Sequence, residues 1–133
     1  MAPEDAEVRA WLVKAAHDRR MAQLAAGESP PLTDAAAFHC QQAAEKLLKA
    51  FLFRSGEPFE KVHDLGSLID LCVKHDPSFS ILRDRADTLT PFAVRFRYPG
   101  PGDPSAQQMK DAMKITDEVW AFVISRLPPQ VRP

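Results

Sequence analysis

The sequence lacks the features that mark several large classes of protein. No run of apolar residues approaches the length needed to cross a membrane, and the acidic start, residues 1–5, has no apolar stretch behind it that would form a signal peptide. Seventeen lysines and arginines against eighteen aspartates and glutamates leave a formal net charge of −1. The chain therefore has no overall electrostatic signature of nucleic-acid binding, although a local basic cleft is compatible with that balance. We expect a soluble, cytoplasmic protein.

Cysteine is also scarce. Cys40 and Cys72 both fall within predicted helices of a chain that has no export signal, which favours reduced, packed thiols over a disulfide. Cys72 and His75 lie one helical turn apart, and His39 precedes Cys40 on another helix, but a zinc site needs four ligands at compact spacing. We expect neither a metal nor a cofactor.

What the sequence does contain is a long helix-forming stretch, predicted to run from a cap at Thr33 or Asp34 to about Ser55. Its apolar residues recur at three- and four-residue spacing and would bury one face: Ala44, Leu47, Leu48, Phe51 and Leu52. A second, polar stripe runs along the same helix: Gln42, Glu45 and Lys49. Such a helix can pack one side into a core and offer the other to a ligand or a partner.

Two further helices are predicted beside it. The first covers about residues 3–26, and its seam has one polar member, Asp18, which would bond to the second helix or face a dimer cleft. The seam residues are Val8, Trp11, Ala15, Asp18, Ala22 and Ala25. Asp64 is expected to cap a helix over about residues 65–74, with this buried side: Leu65, Leu68, Ile69 and Cys72.

Two proline-led helices complete the set. Asp76-Pro77 opens one that Pro91 should stop or kink near Thr90. After a loop over residues 98–104, Asp103-Pro104 repeats that opening for a last helix reaching about Leu127. The expected seam of this last helix is Ala106, Met109, Met113, Thr116, Trp120, Val123 and Leu127.

The absence of any strand pattern or internal repeat predicts an all-α protein. We expect an antiparallel, up-and-down bundle of about five helices that forms a single domain over residues 1–127. A proline-rich tail, residues 128–133, would follow it.

Several of these pieces, taken together, resemble the HEPN domain family. They are the segment Gln41–Ala50 (QQAAEKLLKA), Gly56, His63-Asp64-Leu65 with Leu68, and Arg97-Tyr98-Pro99, while Trp11, Ala15 and Asp18 match the family's usual opening. The resemblance implies an HEPN-like helical bundle that forms a homodimer. Members are typically small prokaryotic proteins, often encoded beside minimal nucleotidyltransferases as two-component or toxin–antitoxin pairs. Nucleotide or RNA binding is the activity proposed for the group.

The ribonuclease motif of the family is missing. Catalytic members use an Arg followed, after four to six residues, by a His, and no arginine of this chain has a histidine at that spacing. Arg95 and Arg97 lie near the right place but precede a loop rich in proline and glycine. Because arginine titrates too high to replace histidine in acid–base catalysis, we expect a non-ribonuclease branch without the usual activity.

A ligand cleft is the first candidate site. Gln42, Glu45 and Lys49, together with Arg97, would hold a phosphate or nucleotide, with the cations neutralising charge and Gln42 bonding a base or sugar. The alternative is a solvated helix face, because Glu45 and Lys49 stand in the favourable i, i+4 order of an ordinary surface ion pair.

A histidine–aspartate pair is the second candidate. His63 and Asp64 would act as a catalytic or ligand-orienting pair; in the alternative, Asp64 caps the third helix and His63 bonds to the second helix, at Glu45.

A basic-aromatic cluster is the third candidate, made of Arg95, Phe96, Arg97 and Tyr98. It would hold a phosphate with a stacked base, or instead dock the proline-rich loop onto the bundle.

Three hypotheses of function follow. The first is a non-catalytic, HEPN-like homodimer that binds a nucleotide, a short RNA end or a nucleotidyltransferase partner through the region of Glu45, Lys49 and Arg97. The second is a homodimeric interaction module that binds no small ligand. The third is a divergent, metal-independent ribonuclease that uses His63.

Overall fold

The computed structural model describes residues 2–96, 98–100 and 102–133. This part of the chain forms five α-helices and three 3₁₀ helices and contains no strand. The α-helices are α1 (Pro3–Ala26), α2 (Thr33–Ser55), α3 (Leu65–Val73), α4 (Arg83–Asp87) and α5 (Ala106–Ser125), and the 3₁₀ helices are Pro77–Leu82, Thr90–Ala93 and Pro129–Val131. The predicted all-α helical bundle is confirmed. None of the helices in the described ranges is both long and apolar enough to span a membrane.

The helix α2 lies at the centre of the bundle. It packs most extensively against α1 and then against α5, and it also contacts α3 and the 3₁₀ helix Thr90–Ala93. Because neighbours enclose it from several directions, α2 buries residues around much of its circumference, including the polar residues Gln41 and Lys49. A helix with a single neighbouring layer would bury only one stripe.

Phenylalanine rings join the 3₁₀ helix Pro77–Leu82 to the rest of the bundle. The ring of Phe79 is fully buried, and its centroid lies 4.4 Å from that of Phe51 on α2 and 4.9 Å from that of Phe122 on α5. Contacts of this kind between aromatic rings add to the free energy gained from burying their area.

The seams of α1 and α3 follow the prediction closely. All four predicted residues of α3 are buried, and so are five of the six predicted for α1. The exception is Trp11, which is only partly buried, while its neighbour Leu12 occupies the inner position. Trp11 instead covers the core from its edge, where its ring packs on Phe59.

The seam of α5 is shifted relative to the prediction. Ala106 is exposed and Met113 and Trp120 are half-buried, whereas the buried face is formed by Met109, Ala112, Ile115, Thr116, Val119 and Val123. A helix that packs against two neighbours buries a wider sector than a single seam, and this adds positions that the periodicity alone did not select.

Two of the predicted helix caps are wrong. The N-cap of α2 is Leu32, which makes no side-chain hydrogen bond, so Thr33 and Asp34 lie within the first turn. The N-cap of α5 is Ser105. Its hydroxyl accepts from Gln108 N at 3.0 Å, and Ser105 N donates to Gln108 Oε1 at 2.8 Å. This capping box satisfies two backbone N–H groups, whereas the predicted cap at Asp103 would have offered a single carboxylate.

The helix expected after Asp76-Pro77 is not continuous. It divides into the 3₁₀ helix Pro77–Leu82, the short α4 and the 3₁₀ helix Thr90–Ala93. Asp76 does cap the start, accepting from Ser78 N at 3.0 Å, but Phe79 N then bonds to Asp76 O, which is 3₁₀ spacing. The predicted interruption near Thr90 is confirmed.

The last residues return to the bundle. Val131 is fully buried against the core, and Arg9 of α1 donates to the carbonyl oxygen of Arg132 at 2.8 Å. Residues 128–133, expected as a tail, therefore contribute one side chain to the core.

Candidate functional site

The polar stripe of α2 forms a chain of hydrogen bonds. Gln42 Nε2 donates to Gln41 Oε1 at 2.7 Å, and Gln41 Nε2 donates to Glu45 Oε1 at 3.3 Å. The other carboxylate oxygen of Glu45 accepts from Lys49 Nζ, also at 3.3 Å. Gln41 is fully buried, and the sequence pattern did not single it out. The polar groups of the stripe therefore already have partners within the chain.

Aromatic side chains cover the end of this stripe. Lys49 is only 7% exposed, and its ammonium lies 5.7 Å from the centroid of the Phe59 ring, in the connection between α2 and α3. Trp11 packs edge-on against Phe59, with 5.8 Å between centroids. Lys49 is therefore shielded from solvent, and its ammonium is already bonded to Glu45.

A second polar cluster joins α1 to α2. The carboxylate of Asp18, 7% exposed as a residue, accepts from His39 Nδ1 at 2.8 Å and forms a short hydrogen bond with Lys46 Nζ. Of the two roles expected for Asp18, the bond to the second helix is the one observed. His39 Nε2 has no hydrogen-bond partner among the described residues.

The basic-aromatic cluster lies at the surface after the 3₁₀ helix Thr90–Ala93. Arg95 is exposed, its guanidinium carbon is 5.2 Å from the centroid of the Phe96 ring, and it forms no ion pair with any described residue. Its backbone N donates to Pro91 O at 2.8 Å, which fixes the start of the segment. Tyr98 is 63% exposed. Arg97, the fourth member, lies outside the described residues.

A shallow pocket adjoins this cluster. Its volume is about 230 Å³, and it is lined by Phe96 together with residues from the first turns of α2: Asp34, Ala35, Phe38 and His39. The rings of Phe38 and His39 pack edge to face, 5.1 Å apart. Asp18, by holding His39, also fixes one wall of this pocket.

The candidate residues of the described chain form two groups. The pocket beside Phe96 lies near the start of α2, whereas Lys49 lies about three turns later, or about 16 Å along the helix. A single cleft that unites Glu45, Lys49 and Arg97 stays a prediction, because Arg97 is outside the described residues.

The pair His63 and Asp64 divides into two separate roles. Asp64 caps α3 as predicted, accepting from Ser67 N at 2.9 Å, and this bonding to Ser67 holds the pKa of Asp64 below its usual range. His63 is exposed and makes no hydrogen bond or ion pair with other described residues. The predicted bond from His63 to Glu45 is therefore wrong.

The two thiols are free and buried. Cys40 donates to Met113 Sδ at 3.4 Å, and burial raises its pKa to about 11. Burial likewise raises the pKa of Cys72 to about 12. His75 Nε2 lies 3.2 Å from Glu57 Oε1 instead of turning toward Cys72. Within the described ranges, no three histidine, cysteine or acidic residues converge as metal ligands.

A groove between α4 and α5 was not identified from the sequence. Its volume is about 450 Å³; its floor is Leu89, Ala112 and Ile115, and its rim is Arg85, Thr88, Phe92, Gln108, Asp111 and Lys114. Most of these residues follow the same i, i+3, i+4, i+7 spacing on both walls: 85, 88, 89 and 92, then 108, 111, 112 and 115. That spacing is the signal that could have found them, but pairing the two walls requires the tertiary fold.

The groove is connected to the basic-aromatic cluster. The ring of Phe92, on the rim, lies 5.5 Å from the ring of Phe96 at an angle of 36°. Arg85 forms a two-pronged ion pair with Glu118 of α5, at 2.9 and 3.0 Å, which holds α4 against α5. The groove, the two rings and Arg95 therefore follow one another along the surface.

Comparison with known proteins gives one result. A family model described as HEPN domain matches residues 8–127 of the chain. No curated protein and no solved structure matches it. The matched range extends from the first buried residue of α1 to beyond the end of α5, so the resemblance read from the sequence is confirmed.

Proposed function

The chain belongs to the HEPN domain family, and from that premise we propose that it binds a nucleotide or the end of an RNA strand around Arg95. The observation that carries the proposal is an exposed guanidinium that lies beside the Phe96 ring and has no carboxylate partner among the described residues. Arginine binds phosphate through charge-assisted hydrogen bonds, and a base can stack on an aromatic face. Together these groups offer both halves of a nucleotide a contact.

Neighbouring residues extend this surface. Tyr98 is largely exposed one residue beyond Arg97, which we include in the ligand site on the strength of the family resemblance. His39 lies in the adjoining pocket with Nδ1 held by Asp18, which leaves Nε2 available to a ligand's sugar or base. In this proposal Gln42, Glu45 and Lys49 have a packing role instead, because Gln41 links Gln42 to Glu45, Glu45 bonds Lys49, and Lys49 lies against the Phe59 ring.

Calorimetric titration tests the proposal. The purified protein is titrated with ATP and short oligoribonucleotides, without metal and at low salt. We expect Arg95→Ala and Arg97→Ala each to weaken binding tenfold or more, which is about 1.4 kcal/mol. Lys49→Met should leave the affinity unchanged, as should the control Arg20→Ala, which alters an exposed arginine on α1. Absence of heat with every ligand, or binding indifferent to Arg95→Ala, would refute the proposal.

A homodimeric interaction module is the second candidate function, favoured by an apolar patch at one end of the bundle. Met21 and Leu24, one turn apart on α1, are 49% and 58% exposed, and Leu32 is 52% exposed. Leu32 N bonds to Ala25 O at 3.0 Å, which brings it to the same end. Exposed apolar clusters of this kind mark protein interaction sites.

Light scattering and cleavage assays separate the candidates. A mass of two chains that falls to one in Leu24→Glu would support the dimer, and co-elution with a nucleotidyltransferase encoded beside this gene would support a two-component or toxin–antitoxin pair. RNA cleavage in EDTA that His63→Ala abolishes would instead favour the divergent ribonuclease.

A further inference from the structure

We infer that the groove between α4 and α5 receives the base of the bound nucleotide and selects guanine. The inference rests on the proposed function and refines it: the phosphate stays at Arg95, the base lies beyond Phe96 in the groove, and the Phe96 ring contacts the sugar. It adds a site that the sequence did not indicate and a specificity that the family match does not supply.

The shape of the groove suits a flat ring. Its volume of about 450 Å³ falls in the range of small-molecule pockets. Its floor is formed by the apolar residues Leu89, Ala112 and Ile115, which are 0%, 1% and 7% exposed, and the half-buried Phe92 ring stands beside it on the rim. A planar base can lie on such a floor, which removes its apolar faces from contact with water.

Two aromatic rings join the groove to the proposed phosphate site. Phe92, on the rim, packs on Phe96, and the Phe96 ring in turn lies beside the Arg95 guanidinium. A nucleotide with its base in the groove and its phosphate at Arg95 would follow this path across the two rings. The arrangement gives one ligand a contact at each end.

The rim offers hydrogen-bonding groups that folding does not use. Besides the ammonium of Lys114, they include one amide donor and one carboxylate acceptor, on Gln108 and Asp111. Gln108 Oε1 accepts from Ser105 N, so the NH₂ of the same amide has no partner in the described chain. Asp111 Oδ1 accepts from Gln107 Nε2 at 2.9 Å, while Oδ2 has no such partner. The two residues are one helical turn apart on α5 and border the same groove. Because the Arg85 guanidinium is paired with Glu118, it does not neutralise Asp111.

Guanine matches this pair better than the other bases. Its edge carries the O6 acceptor next to two N–H donors, N1–H and the N2 amino group. The Gln108 amide would donate to O6, and the Asp111 carboxylate would accept from the two N–H groups in charge-assisted bonds. Adenine presents only one donor group on that edge, next to an acceptor that a carboxylate repels.

The test is titration of the full chain with GMP, AMP, CMP and UMP and with guanosine. We expect GMP to bind at least tenfold more tightly than AMP. Asp111→Asn should remove that preference. Gln108→Glu should weaken GMP tenfold or more while keeping the capping box at the start of α5, because glutamate serves in that box as well as glutamine does. The matched control is Asp103→Asn, which changes an exposed carboxylate in the loop before α5 and should leave the preference for GMP unchanged.

The outcomes separate this inference from the function on which it rests. Binding that needs Arg95 but is equal for all four bases, or is unchanged in Asp111→Asn, overturns the guanine pocket and leaves the proposed function intact. Guanosine binding that persists in Arg95→Ala and is lost in Asp111→Asn supports the pocket even where the phosphate contact fails. No binding of any nucleotide refutes both. Circular dichroism of each variant checks that the bundle is folded.

Discussion

Two regions of this bundle hold polar side chains in opposite ways. Along α1 and α2, the residues Asp18, Gln41 and Lys49 are almost completely buried, and each is bonded to a polar neighbour. On the rim of the groove and around Arg95, similar residue types lie in solvent, and some of their donors and acceptors have no partner in the described chain. Folding uses the hydrogen-bonding capacity of the first set and leaves that of the second set available. The two sets are distinguished by their bonding partners, since their residue types are alike.

The largest effect is expected where an interior carboxylate is removed. Asp18→Ala leaves His39 and Lys46 half-buried without their shared partner, and we expect a loss of about 3 kcal/mol in the free energy of unfolding. Urea denaturation measures it. The matched surface variant is Asp117→Ala, whose carboxylate pairs with Arg19 but is 55% exposed; it should cost about 0.5 kcal/mol or less. Equal losses of unfolding free energy in the two variants would show that the buried and the exposed carboxylate do not differ in their contribution to stability.

A smaller loss is expected at the junction of α3 and α4. A β-carbon on Gly66 would lie 2.9 Å from Asp87 Cγ and displace the carboxylate that accepts from Gly66 N and Thr90 Oγ1. We expect Gly66→Ala to cost about 2 kcal/mol, although this substitution usually stabilises a helix.

A double-variant cycle checks the cause. In an Asp87→Ala background the same change at Gly66 should cost nothing or should stabilise, because the displaced group is gone. An equal cost in both backgrounds would place the strain elsewhere.

The cap of α3 shows that an exposed polar group can also be structural when its partner lies within the chain. Asp64→Ala should cost about 1 kcal/mol at neutral pH. Because bonding to Ser67 lowers the pKa of Asp64 in the folded state, its contribution is complete above the unfolded pKa of about 4. The contribution is lost as pH falls through the folded value.

Unfolding measured at several pH values tests this sign. The difference between wild type and Asp64→Ala should shrink in acid, while Asp64→Asn, which caps without titrating, should show a pH-independent difference from Asp64→Ala. A gap between wild type and Asp64→Ala that widened in acid would contradict the assignment.

The smallest effect on stability is expected at Arg95. Arg95→Ala removes an exposed side chain without an ion pair among the described residues, so the free energy of unfolding should change by about 0.5 kcal/mol at most. Nucleotide affinity should nevertheless fall, as proposed above. A loss of stability near that of Asp18→Ala would mean that Arg95, like Asp18, is needed for the folded structure.

The sequence predicted those features that depend on local signals. Helix α1 begins and ends as predicted, and the Asp64 cap and the buried side of α3 follow from residues close together in the chain. The candidate site was harder. The burial of Lys49 depends on Phe59 and Trp11, and the groove depends on two segments about twenty residues apart, so neither follows from spacing on one helix. The joint cleft with Arg97 stays a prediction.

The two buried thiols make the protein a reporter of its own opening. With pKa values raised to about 11 and about 12, Cys40 and Cys72 are protonated and shielded at neutral pH, so alkylating reagents should reach them only when the surrounding helices separate. Cys40 faces α5, where Met113 accepts from it, and Cys72 lies on α3. Faster labelling of Cys72 than of Cys40 would mean that α3 detaches from the bundle before α2 and α5 part. Equal rates would mean that the helices open as one cooperative unit.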